Sequence, residues 1–247
     1  MSPISKFTLS LALAACFASC AAPSAPTSIG SYYGHDVFGH RPGPKGFKTV
    51  IIDAGHGGKD SGATSPSTGQ KEKDLALDTA KRIRSELGGG FKVILMRSDD
   101  TFIDLDERVI RADHYADAVL ISMHYNSGPS NIRGPETYYW RVDSHGLATR
   151  LQQAMNQACP VESGNRGLVR RRIRLTRNPE IPCVLLEGGY LSNAAESRQI
   201  SDPGYRQKLA SVIASAIRTQ AAIGDAGTGP LPRPINAPPS RPTDAHE

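Results

Sequence analysis

The chain has 247 residues, 38% of them apolar and 21% charged. That is enough for one well-packed domain with extensions, or at most two small ones. No apolar run reaches about 18 residues, which excludes a multi-span membrane protein, and four cysteines are too few for a disulfide scaffold. Formal net charge is +5, and the basic bias lies mainly within 47–220 rather than at either end, which admits nucleic acid, a membrane surface or another acidic polymer as partner.

The first residues carry one positive charge at Lys6, then an uncharged apolar stretch, then small residues around Cys16 and Cys20. This layout predicts a secretory signal peptide over 1–20. The run is too short to span a bilayer. Leu13-Ala14-Ala15-Cys16 resembles a bacterial lipobox, so Cys16, with Cys20 as the alternative, is expected to carry a lipid anchor. The competing reading is a plain cleaved signal. Export to the periplasm or cell envelope follows. No aspartate comes directly after either cysteine, which in a Gram-negative cell favours the outer membrane. Residues 21–46 are rich in Ala, Pro, Ser and Gly and read as a flexible tether. Residues 222–247 read as a Pro-rich disordered tail. The folded domain is expected over 47–221, with no internal repeat.

Lys48-Thr49-Val50-Ile51-Ile52-Asp53 predicts a buried strand ending in a Gly-rich turn. Ala76, Ala80, Ile83 and Leu87 recur at helical spacing, and three glycines from Gly88 stop that helix. A second strand is expected over 91–96, a helix over 104–115 and a third strand over 118–123. A polar-aromatic strand over 136–140 is placed near a sheet edge. Ser144 is the expected cap of a helix carrying Leu147, Leu151, Ala154 and Ala158. A buried strand over 182–186 precedes a last amphipathic helix opened by Asp202-Pro203. Strands alternating with helices argue for an α/β sheet covered on both faces.

Polar residues follow or finish three of the apolar strands: His56, His124 and Glu187. In open α/β sheets, ligands gather at the carboxyl ends of strands. Glu72, at the start of the first helix, could face the same rim. Two imidazoles and a carboxylate suit zinc, with water as fourth ligand at a pKa lowered toward about 7. A further carboxylate off the metal can move the proton of that water to a leaving nitrogen. These four residues would complete a hydrolase for amide bonds. The bland reading of each histidine is a strand-end ring bonded to backbone, and that of Glu187 is a salt bridge to a nearby arginine.

The stretch Ile52-Asp53-Ala54-Gly55-His56-Gly57-Gly58-Lys59-Asp60-Ser61-Gly62-Ala63 resembles the opening motif of the zinc-dependent N-acetylmuramoyl-L-alanine amidases, the Amidase_3 family. Glu72-Lys73-Asp74, Ile121-Ser122-Met123-His124-Tyr125-Asn126 and Val184-Leu185-Leu186-Glu187-Gly188-Gly189-Tyr190-Leu191-Ser192-Asn193 are similar to its later motifs, in order. Arg97, Arg108 and Asn165-Arg166-Gly167 also fall at family-like positions. Met123, Tyr125 and Gly189-Tyr190 depart from the commoner pattern without removing a ligand. The resemblance spans about 48–220. It implies Zn2+ on His56, Glu72 and His124, and Glu187 as general base and acid. It implies a mixed, roughly six-stranded sheet flanked by helices on both faces in a single domain. It also implies cleavage of the amide joining N-acetylmuramic acid to L-alanine of the peptidoglycan stem peptide, in wall remodelling or daughter-cell separation. Some family members carry an inserted helix over the metal. Between Trp140 and Asn165 this chain has room for one ordinary helix, so an open site is expected.

Arg166, Arg170, Arg171, Arg172, Arg174 and Arg177 form a basic run. It reads either as a rim attracting stem-peptide carboxylates or as a strand edge charged against pairing. Nucleic acid is excluded by export and by the lack of interleaved aromatics. His35, His40 and His246 lie outside the domain, and His114 and His145 are read as surface histidines. Cys159 and Cys183 are expected as free thiols rather than a pair. The chain is expected to be a monomer whose partners are peptidoglycan, a membrane through its anchor, and divisome or activator proteins. The competing functions are a zinc peptidase acting on another wall amide and a non-catalytic wall-binding lipoprotein.

Overall fold

The computed structural model describes residues 42–233 and residue 235. The expected leader with Cys16 and Cys20, most of the tether, the far part of the tail, and His35, His40 and His246 lie outside the described residues. In chain order the elements are β1 (Thr49–Ala54), α1 (Glu72–Leu87), β2 (Lys92–Leu95), α2 (Leu105–Asp113), β3 (Ala118–Asn126), β4 (Glu136–Tyr139), α3 (His145–Ala158), β5 (Gly167–Arg170), α4 (Arg174–Arg177), β6 (Cys183–Tyr190), α5 (Ala194–Ser201) and α6 (Pro203–Ile223).

The strands form one six-stranded sheet in the order β2-β1-β3-β6-β4-β5. β2, β1, β3 and β6 run parallel. β4 is antiparallel to β6, and β5 is parallel to β4. The sheet is therefore mixed, as the resemblance implied.

Side chains alternate across a strand, and here both sides are apolar. Val50, Ile52, Val119, Ile121, Met123, Val184 and Leu186 enter one core with Leu75, Ala80 and Ile83 of α1, Leu147 and Leu151 of α3, and Leu209 and Ile213 of α6. Ile51, Leu120 and Cys183 enter a second, smaller core with Ala112 of α2 and Leu175 of α4. Each fully buried aliphatic side chain contributes roughly 1.5–3 kcal/mol. The central strands therefore supply the firm floor on which the strand-end residues stand. His124 and Glu187 share the parity of Leu120 and Cys183, the side covered by the shorter helices α2 and α4.

Several local expectations change. β3 and β6 continue past 123 and 186, so His124 and Glu187 lie inside strands rather than after them. β4 does lie near the edge, one strand in, with β5 pairing on its outer side. Ser144 does not cap α3 with its side chain. Its hydroxyl instead accepts from the Cys183 amide at 3.0 Å and donates toward Asp143. Asp202 does cap α6, accepting from the Gly204 amide, with Pro203 in the first turn. α6 runs on to Ile223, and Asp225 accepts from the Gly43 amide at 2.6 Å, so residues on both sides of 47–221 pack against the domain. No helix among the described residues is long and apolar enough to cross a membrane.

Candidate metal centre

β1 gives way to a tight turn at Gly55, and His56 takes a left-handed backbone with φ 60°. That conformation is uncommon outside glycine and costs about 1–2 kcal/mol. Two buried arginines hold it. Arg97 donates from Nε to the Ala54 carbonyl (2.9 Å) and from Nη2 to the carbonyls of Gly55 (2.7 Å) and Lys73 (2.8 Å). Arg108 donates to the carbonyls of Ala54 (3.0 Å) and His56 (2.8 Å), and pairs with Asp53, whose other oxygen accepts from the Ser122 hydroxyl at 2.7 Å. A turn leaving a sheet has carbonyls without ladder partners. The guanidinium forks supply those partners out of reach of water.

Glu72 is the first residue of α1, where the amide-rich end of the helix favours negative charge. One of its oxygens, Oε2, accepts from the Ala63 amide at 2.9 Å. The other, Oε1, accepts from the Tyr125 amide at 3.1 Å and lies 3.0 Å from His56 Nε2 and 2.9 Å from His124 Nδ1. The two imidazole rings meet edge to face at 4.9 Å. One ligand atom from each of His56, Glu72 and His124 lies within 4.8 Å of the others, so the three could hold a metal ion. Two nitrogens and one oxygen suit a first-row transition ion better than calcium or magnesium, which take oxygen shells. The second nitrogen of His56, Nδ1, faces Asp60 Oδ2 at 2.8 Å, a carboxylate that orients the ring and raises its basicity. Close packing completes the site. A Cβ on Gly55 would come within 2.2 Å of the His124 ring.

Charge in this cluster is strongly coupled to geometry. Burial pulls the His56 ring down, but hydrogen bonds and charge from Glu72 and then Asp60 outweigh it, and its pKa is raised to about 9. Burial raises Glu72, yet hydrogen bonds to His124 and His56 hold the carboxyl well below the usual range. A metal competes with protons for these rings.

Glu187 is half-buried on β6. It pairs in register with His124 on one side and with Glu136 of β4 on the other. It thus stands about one strand spacing, roughly 4.8 Å, from the His124 backbone, outside the three-donor cluster. Sequence reasoning missed Glu136. It is buried beside Tyr138, Tyr190 and Asn126. A glutamate opening a polar-aromatic strand looks like a solvated edge residue, and only the register shows it next to Glu187. Asp60 was also missed as a partner of His56, since i,i+4 spacing in a loop carries no periodic signal.

The remaining candidates lie elsewhere. His114 is exposed and bonds the Ile110 carbonyl, and His145 packs edge-on against Tyr139. Cys159 and Cys183 are both buried, Cys159 Sγ beside the Tyr205 hydroxyl and Cys183 Sγ donating to the Thr176 carbonyl. The basic run divides. Arg174 and Arg177 are buried, Arg170 lies over Trp140, and Arg166 and Arg171 are exposed.

Residues 50–219 match the family described as Amidase_3, N-acetylmuramoyl-L-alanine amidase. The chain belongs to the Amidase_3 family. A probable cell wall amidase LytH of Staphylococcus epidermidis is 33% identical over 174 residues, covering 69% of this chain and 57% of that protein. This member therefore spans little more than half the length of that relative. Among solved structures, the catalytic domain of CwlV, an N-acetylmuramoyl-L-alanine amidase from Bacillus (Paenibacillus) polymyxa var. colistinus, is similar with 38% identity and a TM-score of 0.66, over 70% of this chain and 97% of that one. The N-acetylmuramoyl-L-alanine amidase from Clostridium difficile 630 is similar with 32% identity and a TM-score of 0.67, over 71% and 97%. The Amidase_3 match takes in His56, Glu72, His124 and Glu187 and stops short of both ends of the chain.

Proposed function

We propose that this Amidase_3 domain hydrolyses the amide between the lactyl group of N-acetylmuramic acid and L-alanine of the stem peptide, using zinc held by His56, Glu72 and His124. The observation that carries the reading is the convergence of three donors within 4.8 Å, with Glu187 one ladder step away on the adjacent strand. When bound, zinc supplies Lewis acidity, polarising the scissile carbonyl and lowering the pKa of water toward about 7. The residues do the rest. Asp60 holds His56 with Nε2 turned toward the cluster. Amides from Ala63 and Tyr125 hold both Glu72 oxygens in place. Glu187 accepts a proton from the attacking water and returns it to the alanine nitrogen as the C–N bond breaks. The products are a lactyl carboxylate and a free peptide amine.

An exported, lipid-anchored location fits this substrate, since peptidoglycan lies outside the cytoplasmic membrane. The leader-like 1–20 segment with Cys16 or Cys20 supports it. The segment between Trp140 and Asn165 holds one α-helix, α3, and its apolar face packs into the larger core. That supports a site open without an activator.

The test is Glu187→Gln in the purified chain supplied with zinc alone. The variant should keep about one zinc per chain and lose turnover by about 10²–10⁴-fold. Mass spectrometry of digested wall should show intact stem peptides released by the wild type. Shortened peptides would mark a peptidase, and no release by the wild type would mark a binder or a need for an activator.

A further inference from the structure

The hydrolytic step leaves one polar cluster unused. Glu136, 5% exposed, opens β4 opposite Glu187. Its Oε2 accepts from the hydroxyls of Tyr138 (2.9 Å) and Tyr190 (2.9 Å) and faces Asn126 Nδ2 at 3.4 Å. Its Oε1 lies 3.7 Å from Arg166 Nε. Burial, together with Glu136, pushes Tyr138 up to about 12 and Tyr190 well above the ordinary phenol range, so both stay protonated donors.

Arg166 immediately precedes β5, and its amide is fixed on the Pro135 carbonyl at 3.1 Å. Its guanidinium lies over the Tyr190 ring, 5.4 Å from the centroid. Among the described residues, Glu136 and Tyr190 are its side-chain partners, and both engage the inner part of the group. The side chain is 37% exposed. The planar fork is thus held in place, with its terminal donors left for an incoming group. Three ladder steps connect it to the metal cluster: Gly167 pairs with Glu136, Glu136 with Glu187, and Glu187 with His124. At about 4.8 Å per step the backbones are roughly 14 Å apart. Allowing for the reach of the arginine, that is two to four residues of extended peptide.

We propose that Arg166 is a carboxylate subsite for the peptide half of the substrate. This rests on the amide-hydrolase reading of the neighbouring site. Of the two halves joined by the scissile amide, the sugar side has spent its lactyl carboxyl in that bond, whereas the stem peptide carries free carboxylates. A guanidinium fork matches a carboxylate two bonds at a time. The peptide then runs from β3 across β6 and β4 toward the β5 edge, and the glycan lies on the other side of the donors.

The test is calorimetric binding of a free stem tripeptide, and of its carboxamide form, to the full zinc-loaded chain. Arg166→Ala should weaken the free tripeptide about tenfold. Arg166→Lys, a point charge without the fork, should recover part of that loss. Arg171→Ala removes the same charge from an exposed position just past the far end of β5 and should stay within about twofold of wild type. The carboxamide peptide should bind about tenfold more weakly than the free form and be indifferent to Arg166→Ala. Equal losses from Arg166→Ala and Arg171→Ala, equal losses for both peptides, or no binding by the wild type would overturn the subsite. Melting curves of Arg166→Ala exclude a folding defect. Muropeptide cleavage by the wild type separates the two readings. Cleavage without Arg166-dependent binding sinks only the subsite. Arg166-dependent binding without cleavage leaves the subsite standing and marks the domain as a binder or as one that needs an activator.

Discussion

A methyl group on Gly62 would sit 2.5 Å from the His56 ring and 2.6 Å from Glu72 Oε2, on a backbone with φ +60°. It would meet both strain and collision at the centre of the donor set. Gly62→Ala should therefore keep its circular dichroism spectrum but lose metal affinity by about tenfold or more, read by competition with a chromophoric chelator. His56, His124 and Glu187 were legible as single residues because a polar side chain at the end of an apolar strand is conspicuous, Glu72 stood at a helix start, and the motifs joined the four. Asp60 and Glu136 were not. Their importance comes from a loop that folds back and from a strand register, and neither leaves a pattern in nearby residues.

At the scale of elements, Arg97 links the turn after β1 to the start of α1, since one guanidinium serves Ala54, Gly55 and Lys73. Lys73 follows Glu72, so this arginine sets how far the Glu72 donor stands from His56. Arg97→Met would take the buried guanidinium donor from the Gly55 and Lys73 carbonyls at about 1–3 kcal/mol each, while Ala54 keeps Arg108. It should lower the urea midpoint strongly and weaken metal binding about 10–100-fold. Arg97→Lys should recover only part, because one ammonium cannot reproduce the fork. The cores of β1, β3 and β6 were readable as continuous β-branched runs, the mark of strands buried on both faces. β5 was not, because four residues, Gly-Leu-Val-Arg, set among arginines show neither alternation nor an apolar run. The short helices α4 and α5 escaped for the same reason, having too few turns to establish a period.

For the whole molecule, protonation and metal loading oppose each other. In the metal-free fold His56 has a pKa of about 9, against 6.5 when unperturbed. The stabilisation from its protonated ring is therefore complete below pH 6.5 and is lost as pH rises through about 9. Metal ligation needs the neutral ring, so loading strengthens over the same interval. Calorimetric melting with and without chelator should show the metal-free Tm falling from pH 6.5 to 9 while the gap to the zinc-loaded protein widens. A constant gap would contradict this coupling. The order of the strands carries one more consequence. His124 and Glu72 are 52 positions apart in sequence and His56 comes from a third segment, yet their ligand atoms converge on one point. An ion there would act as a removable cross-link that shuts long loops, much as a disulfide does. Stripping the ion should therefore shorten the protein's survival against a protease, so that persistence in the wall and capacity to cut it would rise and fall with the same atom.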